Sequence, residues 1–279
     1  MEKRENKVYT AERALFFGRD LALYNCVFED GESPLKQSEN VFLSNCVFAW
    51  KYPLWYSKNI EVKNCSLKET ARSGIWYTDG IKIEDSVIDA PKTFRRSNNI
   101  TLKKVEMNKA QETLWSCKNL KIEDVRAVGD YFAMNTENVE VERFHLDGNY
   151  CFDGAKNVRV KNSYFNSKDS FWNTTDVVVE DSVIIGEYLG WNSKNLTLIN
   201  CEIESLQGLC YIENLKLINC KLKNTTLAFE YCSVDADISG KVDSVLNPTS
   251  GIIRADEIGE LILQPDRIDP TKTKIIIKE

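Results

Sequence analysis

Short runs of alternating apolar and polar residues recur along the chain at intervals of 19 to 21 residues. Segments such as "SKNIEVKNCSL", "CKNLKIEDVRA" and "SKNLTLINCEI" align in one register. After each anchor position, apolar and charged residues alternate, which is typical of a strand with one buried face. The anchors are Asp20, Asn40, Asn59, Gly80, Asn99, Asn119, Asn138, Asn157, Asp176, Asn195 and Asn214. This period predicts a stack of similar turns.

Each repeat contains three apolar stretches separated by turn-forming residues. In one repeat, Ile60 and Val62 form the first stretch, Asn64 marks a corner, and Cys65 and Leu67 form the second. The third stretch is centred five residues before the next anchor. Asn and Asp suit such corners because they tolerate left-handed backbone angles, and stacked asparagines can bond from coil to coil. We therefore predict an all-β, single-stranded parallel β-helix of about 10–12 coils, at roughly 19 residues and three short strands per coil.

A leucine-rich repeat is the main rival fold, since its consensus also reads L-x-L followed by Asn. In that consensus two residues separate the second apolar position from the Asn, whereas one does here, as in "IEVKN". The third apolar stretch also leaves no room for a helix. We expect a single β-helix domain over residues 1–279, with an N-terminal cap (1–12), regular coils (13–232) and irregular C-terminal coils with a cap (233–279).

Five of the six tryptophans stand four residues before an anchor, a position predicted to face outward. They are Trp55, Trp76, Trp115, Trp172 and Trp191. Polar and aromatic residues that flank this column complete a predicted substrate-binding strip: Arg96, Glu112, Asp130, Tyr131, Tyr150, Lys168 and Tyr188. Aromatic rings mixed with carboxylates, amides and guanidinium groups suit a saccharide. In the alternative interpretation, loops cover the column and the tryptophans form a side core.

Candidate catalytic residues lie in the same strip. Asp153, Asp169 and Glu187 come from consecutive coils, so two of them could serve as the carboxyl pair of a glycoside hydrolase. Arg95 could instead bind the carboxylate of a uronate in a lyase reaction. A divalent metal bound by Asp130, Asp153 and Asp169 is an open alternative that no ligand spacing supports, and we expect no metal or other cofactor.

Composition narrows the partners and the compartment. The net charge of -6 argues against nucleic acid as the main partner. The sequence contains no run of about 18 apolar residues, so no membrane span is predicted. The first residues do not resemble a secretion signal. The nine cysteines contain no CxxC pair and are interpreted as reduced thiols. We therefore expect a cytoplasmic location.

The coil pattern resembles right-handed parallel β-helix proteins of the pectin-lyase-like superfamily. More specifically, "WKYPLWY", "DAPKTFRRS" and "GEYLGWNSKNL" are similar to segments of a bacterial β-helix family of unknown function. The superfamily implies work on polysaccharides, often uronate-containing, in a groove beside one sheet. The aspartate sets of its hydrolases and the calcium-and-arginine sets of its lyases have no residue-by-residue match here.

Three hypotheses follow for the function. In the first, the protein binds an oligosaccharide or uronate-containing sugar along the strip and, if an enzyme, acts as a glycoside hydrolase or polysaccharide lyase. In the second, it is a non-catalytic binding or scaffold protein whose strip docks a protein partner or a second copy, which would make a homo-oligomer. In the third, it is a structural rod.

Overall fold

The structure is a computed structural model that describes residues 1–278. The chain is all-β, with 2% helix, and forms a parallel β-solenoid of about 15 turns, which confirms the predicted fold class. It divides into two compact units, which we call unit 1 (Met1–His145) and unit 2 (from Leu146 onward). The prediction of one domain over the whole chain stays a prediction.

Unit 1 has three sides per turn. The first-side strands are Glu2–Glu5, Arg19–Tyr24, Glu39–Ser44, Lys58–Lys63, Asp79–Ile88, Asn98–Met107, Lys118–Val128 and Glu137–Asp147, the last of which ends just beyond the unit. Separate second-side strands are Val8–Tyr9, Val27–Phe28, Val47–Phe48 and Ser66–Leu67; in the later turns the first-side strand continues through the second side. Third-side strands are Ile75–Trp76 and Phe94–Arg95, and a 3-10 turn spans Glu69–Ala71.

Unit 2 repeats this plan. Its first-side strands are Lys156–Lys161, Thr175–Glu180, Lys194–Ile199, Leu215–Thr226, Ser233–Ser239, Ser250–Ala255 and Thr273–Ile277. Its second-side strands are Tyr164–Asn166, Val183–Ile185 and Glu202–Leu206. Lys241–Leu246 and Glu257–Ile262 pair in a separate sheet, and a 3-10 turn spans Pro270–Lys272.

Parallel pairing places equivalent residues of successive turns above one another. Val41 pairs with Ile60, and Ile60 pairs with Ile81, so the same apolar position repeats along the inside of unit 1. All three side chains are at most 2% exposed. Val177 and Leu196 pair in the same way in unit 2. The core of each unit is therefore a set of stacked apolar columns, and the alternate residues of each strand face outward.

Every anchor has a positive φ, from 51° at Asn59 to 75° at Gly80. The side chains of the anchors bond between turns: the amide of Asn59 donates to Asn40 Oδ1 at 3.2 Å, and that of Asn119 donates to Asn99 Oδ1 at 3.0 Å. Both predicted roles of these residues, the left-handed corner and the bridge from turn to turn, are confirmed.

The predicted number of coils, about 10–12, is wrong, because both ends of the chain add turns. Glu2–Glu5, expected in a cap, pairs in parallel with the first-side strand Arg19–Tyr24. At the other end, Ser233–Ser239 pairs with Ser250–Ala255, which pairs with Thr273–Ile277. These turns lack the Asn anchor, so the repeated motif does not reveal them; the last two also depart from the period, since Val234 pairs with Gly251 and Gly251 pairs with Thr273.

Candidate functional site

Three indoles and one guanidinium form a stacked column on the third side of unit 1. We call Trp55, Trp76, Arg95 and Trp115 the unit 1 ladder. The rings of Trp55 and Trp76 are nearly parallel, with centroids 5.2 Å apart. The Arg95 guanidinium then lies between Trp76 and Trp115, with its central carbon 4.7 Å and 4.6 Å from the two ring centroids. All four side chains are half-buried, and each face within the column meets another member.

Each indole N–H of this ladder reaches the following turn. Trp76 Nε1 donates to the carbonyl of Lys92 at 2.9 Å, and Trp115 Nε1 donates to the carbonyl of Tyr131 at 2.7 Å. Trp55 makes the equivalent bond to Ser73. These bonds join successive turns on the side where the strands are only two residues long. The ladder therefore has a structural role, and its ring edges are what it presents outward.

Tyrosines line the unit 1 ladder. Tyr56 and Tyr77, which follow Trp55 and Trp76 in the chain, stack on one another with centroids 4.8 Å apart, and Tyr56 is 46% exposed. On the other flank, Tyr131 meets Trp115 edge to face at 6.3 Å and is 38% exposed. Tyr56 and Tyr131 thus have larger exposed fractions than the indoles of the ladder.

Cations gather on both flanks of the unit 1 ladder. We call Arg72, Lys92, Arg95 and Arg96 the basic cluster. The carboxylate of Glu112 is 3.1 Å from Lys92 Nζ and 3.4 Å from an Arg95 nitrogen, and Nε of Arg95 is buried without a hydrogen-bond partner. Arg72 and Arg96 are exposed, and neither has an ion pair within residues 1–278. Because Glu112 is shared by two cations, the cluster keeps a positive surplus.

Unit 2 carries a second column of aromatic rings. Trp172 and Trp191 stack with centroids 5.7 Å apart, and Tyr211 and Tyr231 extend the column; we call these four residues the unit 2 ladder. Trp191 Nε1 donates to the carbonyl of Gln207 at 3.0 Å, which repeats the bond between turns seen in unit 1.

Polar and aromatic residues flank the unit 2 ladder as well. Tyr150 and Tyr188 meet Trp172 and Trp191 edge to face, at 6.1 Å and 5.2 Å respectively. The ammonium of Lys168 lies 5.1 Å from the ring centroid of Tyr188. Within each unit the predicted tryptophans therefore do line up, three in unit 1 and two in unit 2.

The predicted catalytic carboxylates of unit 2 lie in different environments. Asp153 is half-exposed and accepts a hydrogen bond from Asn173 Nδ2 at 2.8 Å. Glu187 lies 3.0 Å from Lys168 Nζ. Asp169 is 2% exposed; burial raises its pKa, against the opposing effect of a hydrogen bond from the Tyr150 side chain. The fourth predicted catalytic residue, Arg95, belongs to unit 1, where it is held between two indoles. The catalytic assignments stay predictions.

Two residues that stand at the tryptophan position of later turns, Cys210 and Glu230, are buried, with 0% and 8% of their surface exposed. Asp130 lies one turn beyond Glu112, and its backbone carbonyl accepts a hydrogen bond from the Glu112 backbone N–H at 2.9 Å.

The sequence analysis did not identify the stacked pair Tyr56 and Tyr77. The signal was present in "WYSKN" and "WYTDG", where two aromatics in a row interrupt the alternation.

Residues 1–278 contain no group of three or more His, Cys, Asp or Glu side chains placed to hold a metal ion. Within the same residues, no helix has the length and apolar character needed to cross a membrane. All nine cysteines are buried and unpaired. What the two ladders offer a ligand is therefore ring edges, phenols, guanidinium groups and carboxylates.

A family model described as "Protein of unknown function (DUF3737)" matches residues 2–276 of the chain. No curated protein matches it. Among solved structures, the A-module of the mannuronan C-5 epimerase AlgE4 from Azotobacter vinelandii is 9% identical, with a TM-score of 0.34, over 98% of this chain and 87% of that one.

Two further solved structures are similar to the chain. The surface protein and adhesin PfbA from Streptococcus pneumoniae is 12% identical, with a TM-score of 0.40, over 98% of this chain and 81% of that one. A D339N mutant of the tailspike protein of E. coli bacteriophage HK620, in complex with a pentasaccharide, is 10% identical, with a TM-score of 0.34, over 87% and 60%.

Proposed function

The chain belongs to the DUF3737 family, and we propose that this member binds an acidic, uronate-containing oligosaccharide at the basic cluster of unit 1. The observation that carries the proposal is a charge contrast. The protein has a net charge of -6, yet Arg72 and Arg96 are exposed, without ion pairs within residues 1–278, on the two flanks of the unit 1 ladder. A local positive surface on an acidic protein favours an anionic ligand.

Guanidinium groups suit carboxylates because their planar array of N–H donors matches the two carboxylate oxygens. Arg72 precedes the anchor Gly80, while Lys92 and Arg96 precede the anchor Asn99, so the cations come from two adjacent turns. Adjacent turns of a parallel sheet are about 4.8 Å apart. An extended ligand with carboxylates along its length can therefore meet more than one cation of the cluster.

The neighbouring groups suit the hydroxyls of a sugar. Tyr56 and Tyr77 present phenol edges, and the Glu112 carboxylate lies within the cluster at 3.1 Å from Lys92 Nζ. The indole faces within the ladder are closed by stacking, so the aromatic contribution comes chiefly from edges and phenols. The same closure disfavours nucleic acid, whose bases would need free ring faces on which to stack.

Protein docking is the second candidate function. Trp, Tyr and Arg are the residues most enriched at the energetic centres of protein interfaces, and all three meet on the third side of unit 1. The carboxylates of an acidic peptide would pair with the cations of the basic cluster in the same way as those of a uronate chain. The distinction between the two rests on the hydroxyl groups, which only the saccharide carries on every unit.

The proposal is tested by calorimetric titration of the intact protein with tetragalacturonate, with maltotetraose as a neutral sugar of equal length. We expect saturable binding of tetragalacturonate that weakens with salt, and little binding of maltotetraose. The double variant Arg72→Gln, Arg96→Gln should bind at least about tenfold more weakly, because each charge-assisted bond is worth about 1.5–3 kcal/mol. Arg159→Gln, which removes an exposed arginine of unit 2, serves as the control and should bind normally.

Equal binding of the neutral sugar, or equal loss in the control variant, would contradict the proposal. Competition by a short polyglutamate at the same affinity would favour the docking function instead. A hydrolase or lyase reaction on the bound sugar stays a prediction from the sequence, to be followed in the same samples by the appearance of reducing ends or of unsaturated uronate absorbance.

A further inference from the structure

The outward face of the first-side strands is charged along most of unit 1. Lys82 pairs with Glu84 at 2.8 Å, Lys103 with Glu123 at 3.1 Å, and Lys121 lies 3.7 Å from Glu140. Such alternating charges form a solvated surface. The pattern breaks at the first turns, where the outward positions are occupied by Ala22, Tyr24 and Phe42.

This break produces a hollow of about 520 Å³ on the first side. Ala22 pairs with Phe42 in the parallel register, so a methyl group stands beside a benzyl ring and leaves the space open. Tyr24 lies across from Phe42 with ring centroids 5.7 Å apart and planes tilted by 55°. The floor of the hollow is thus two aromatic rings and a short side chain, on a rigid sheet. Its volume falls within the range of small-molecule sites, roughly 300–1,000 Å³.

The rim of the hollow is acidic. Asp20 borders one side, where it accepts a hydrogen bond from Asn40 Nδ2 at 3.0 Å, and Glu61 borders another, in register with Phe42. Both carboxylates are exposed, and within residues 1–278 neither has a salt bridge shorter than 4.0 Å, although Glu61 is in register with Lys82 of the next turn. Asn59 adds an amide oxygen that faces Gly80, a residue with no side chain to donate to it. The charged side chains of this rim are the carboxylates of Asp20 and Glu61; the N-terminal residue Met1 also lines the hollow.

A cation already occupies the edge of this surface. The ammonium of Lys3 lies 5.2 Å from the ring centroid of Tyr24, while it pairs with Glu5 at 2.7 Å. The chain thus uses, beside the hollow, the combination of an aromatic face and a carboxylate that holds organic cations.

We propose that the hollow lined by Ala22, Phe42, Asp20 and Glu61 binds a small organic cation, an alkylammonium compound whose apolar part lies on Phe42 and whose charge faces the two carboxylates. This site lies on a different side of the turn from the basic cluster and takes a ligand of the opposite charge. It therefore goes beyond the saccharide function and does not depend on it.

The test is a calorimetric titration of the full chain with choline, and with 3,3-dimethyl-1-butanol as the uncharged compound of the same shape. We expect saturable choline binding that weakens with salt, and at least about fivefold weaker binding of the alcohol. Ala22→Phe should abolish choline binding, because the added ring fills the hollow and stacks beside Phe42. Glu61→Gln should weaken choline binding about threefold to tenfold.

Glu140→Gln is the matched control, since Glu140 is also an exposed outward glutamate of a first-side strand, and its choline affinity should equal that of the unchanged protein. Far-ultraviolet circular dichroism confirms that each variant is folded. The proposal is overturned if choline fails to saturate, if the alcohol binds as tightly, or if folded Ala22→Phe still binds choline. The Arg72→Gln, Arg96→Gln variant should keep full choline affinity. This result would show that the choline site and the basic cluster bind their ligands independently.

Discussion

The indole of Trp76 lies against the indole of Trp55, with planes only 7° from parallel and ring centroids 5.2 Å apart. This stacking uses the face that a sugar ring would need, so the tryptophans hold the turns together and leave their edges to a ligand. Arg95 continues the stack and brings positive charge into it. Binding and stability therefore depend on the same column, and variants must separate the two.

We predict that Trp76→Ala lowers the free energy of unfolding by about 2–3 kcal/mol. The substitution removes the stack on Trp55, the contact with Arg95 and the bond from Nε1 to the Lys92 carbonyl. Trp76→Phe keeps a ring and should lose about 1 kcal/mol. Trp50→Ala is the control, because Trp50 is half-buried but lies outside the ladder. Urea denaturation provides the measurement, and an equal loss for Trp50→Ala would show that the ladder adds nothing.

The corners show how far the sequence predicts this fold. Residue type alone predicts a left-handed corner at Asn64, and its φ is 51°. Lys104 and Arg143 adopt the same backbone angle, with φ of 51°, although neither residue type favours it. The path of the solenoid imposes the angle there, and the turns above and below stabilise it. At this corner of the turn, residue preference therefore reveals most of the left-handed positions but not all.

The orientation of the rings could not be predicted in the same way. Alternation placed the tryptophans on the outward position of the third side, which the structure reproduces. Whether their faces are open depends on side-chain torsions and on what stands at the same position one turn away. Arg95 completes the unit 1 ladder because a guanidinium can replace a ring in a stack, a property that hydrophobic patterning does not register.

We expect Gly80→Asn to stabilise the protein by about 0.5–1 kcal/mol. Gly80 is the one anchor without a side chain, and its φ of 75° is close to that of the asparagine anchors. An added Cβ would lie 3.1 Å from Asn59 Oδ1, an atom whose side chain can adjust, and the new amide could donate to that oxygen. Gly80→Val should destabilise instead, because a β-branched residue is strained at positive φ. Thermal unfolding of both variants tests this pair of predictions. A lower melting temperature for Gly80→Asn would refute the idea that the turn at Gly80 lacks a stabilising side-chain hydrogen bond.

The thiols should be inert in the folded protein. All nine cysteines are buried, and burial raises the pKa of Cys151 to about 11 and that of Cys117 to about 12. Because the thiolate is the reactive form, Ellman's reagent at pH 8 should modify none of them on the timescale of minutes. In guanidinium chloride, all nine should react. A thiol that reacts rapidly in the native state would identify an opening that the structure does not show.

Asp169→Asn should make the protein more stable at neutral pH. Burial raises the pKa of Asp169, so the folded state favours the protonated carboxyl. The stability associated with that proton is fully present below the unfolded pKa of about 3.9 and is lost as the pH rises through the folded pKa. The asparagine variant carries no charge to bury, so its advantage over the unchanged protein should grow from almost nothing near pH 3.5 to its full value at pH 7.

Tyr150→Phe provides the opposite perturbation, since the Tyr150 side chain bonds the carboxylate and opposes the effect of burial. Its loss should destabilise the protein more at pH 7 than near pH 3.5, because the charged carboxylate needs the donor most. Denaturant unfolding of the two variants across this pH range gives both trends. A stability difference for Asp169→Asn that does not change with pH would mean that the carboxyl ionises normally within unit 2, and its special environment would then have no bearing on any acid-base role.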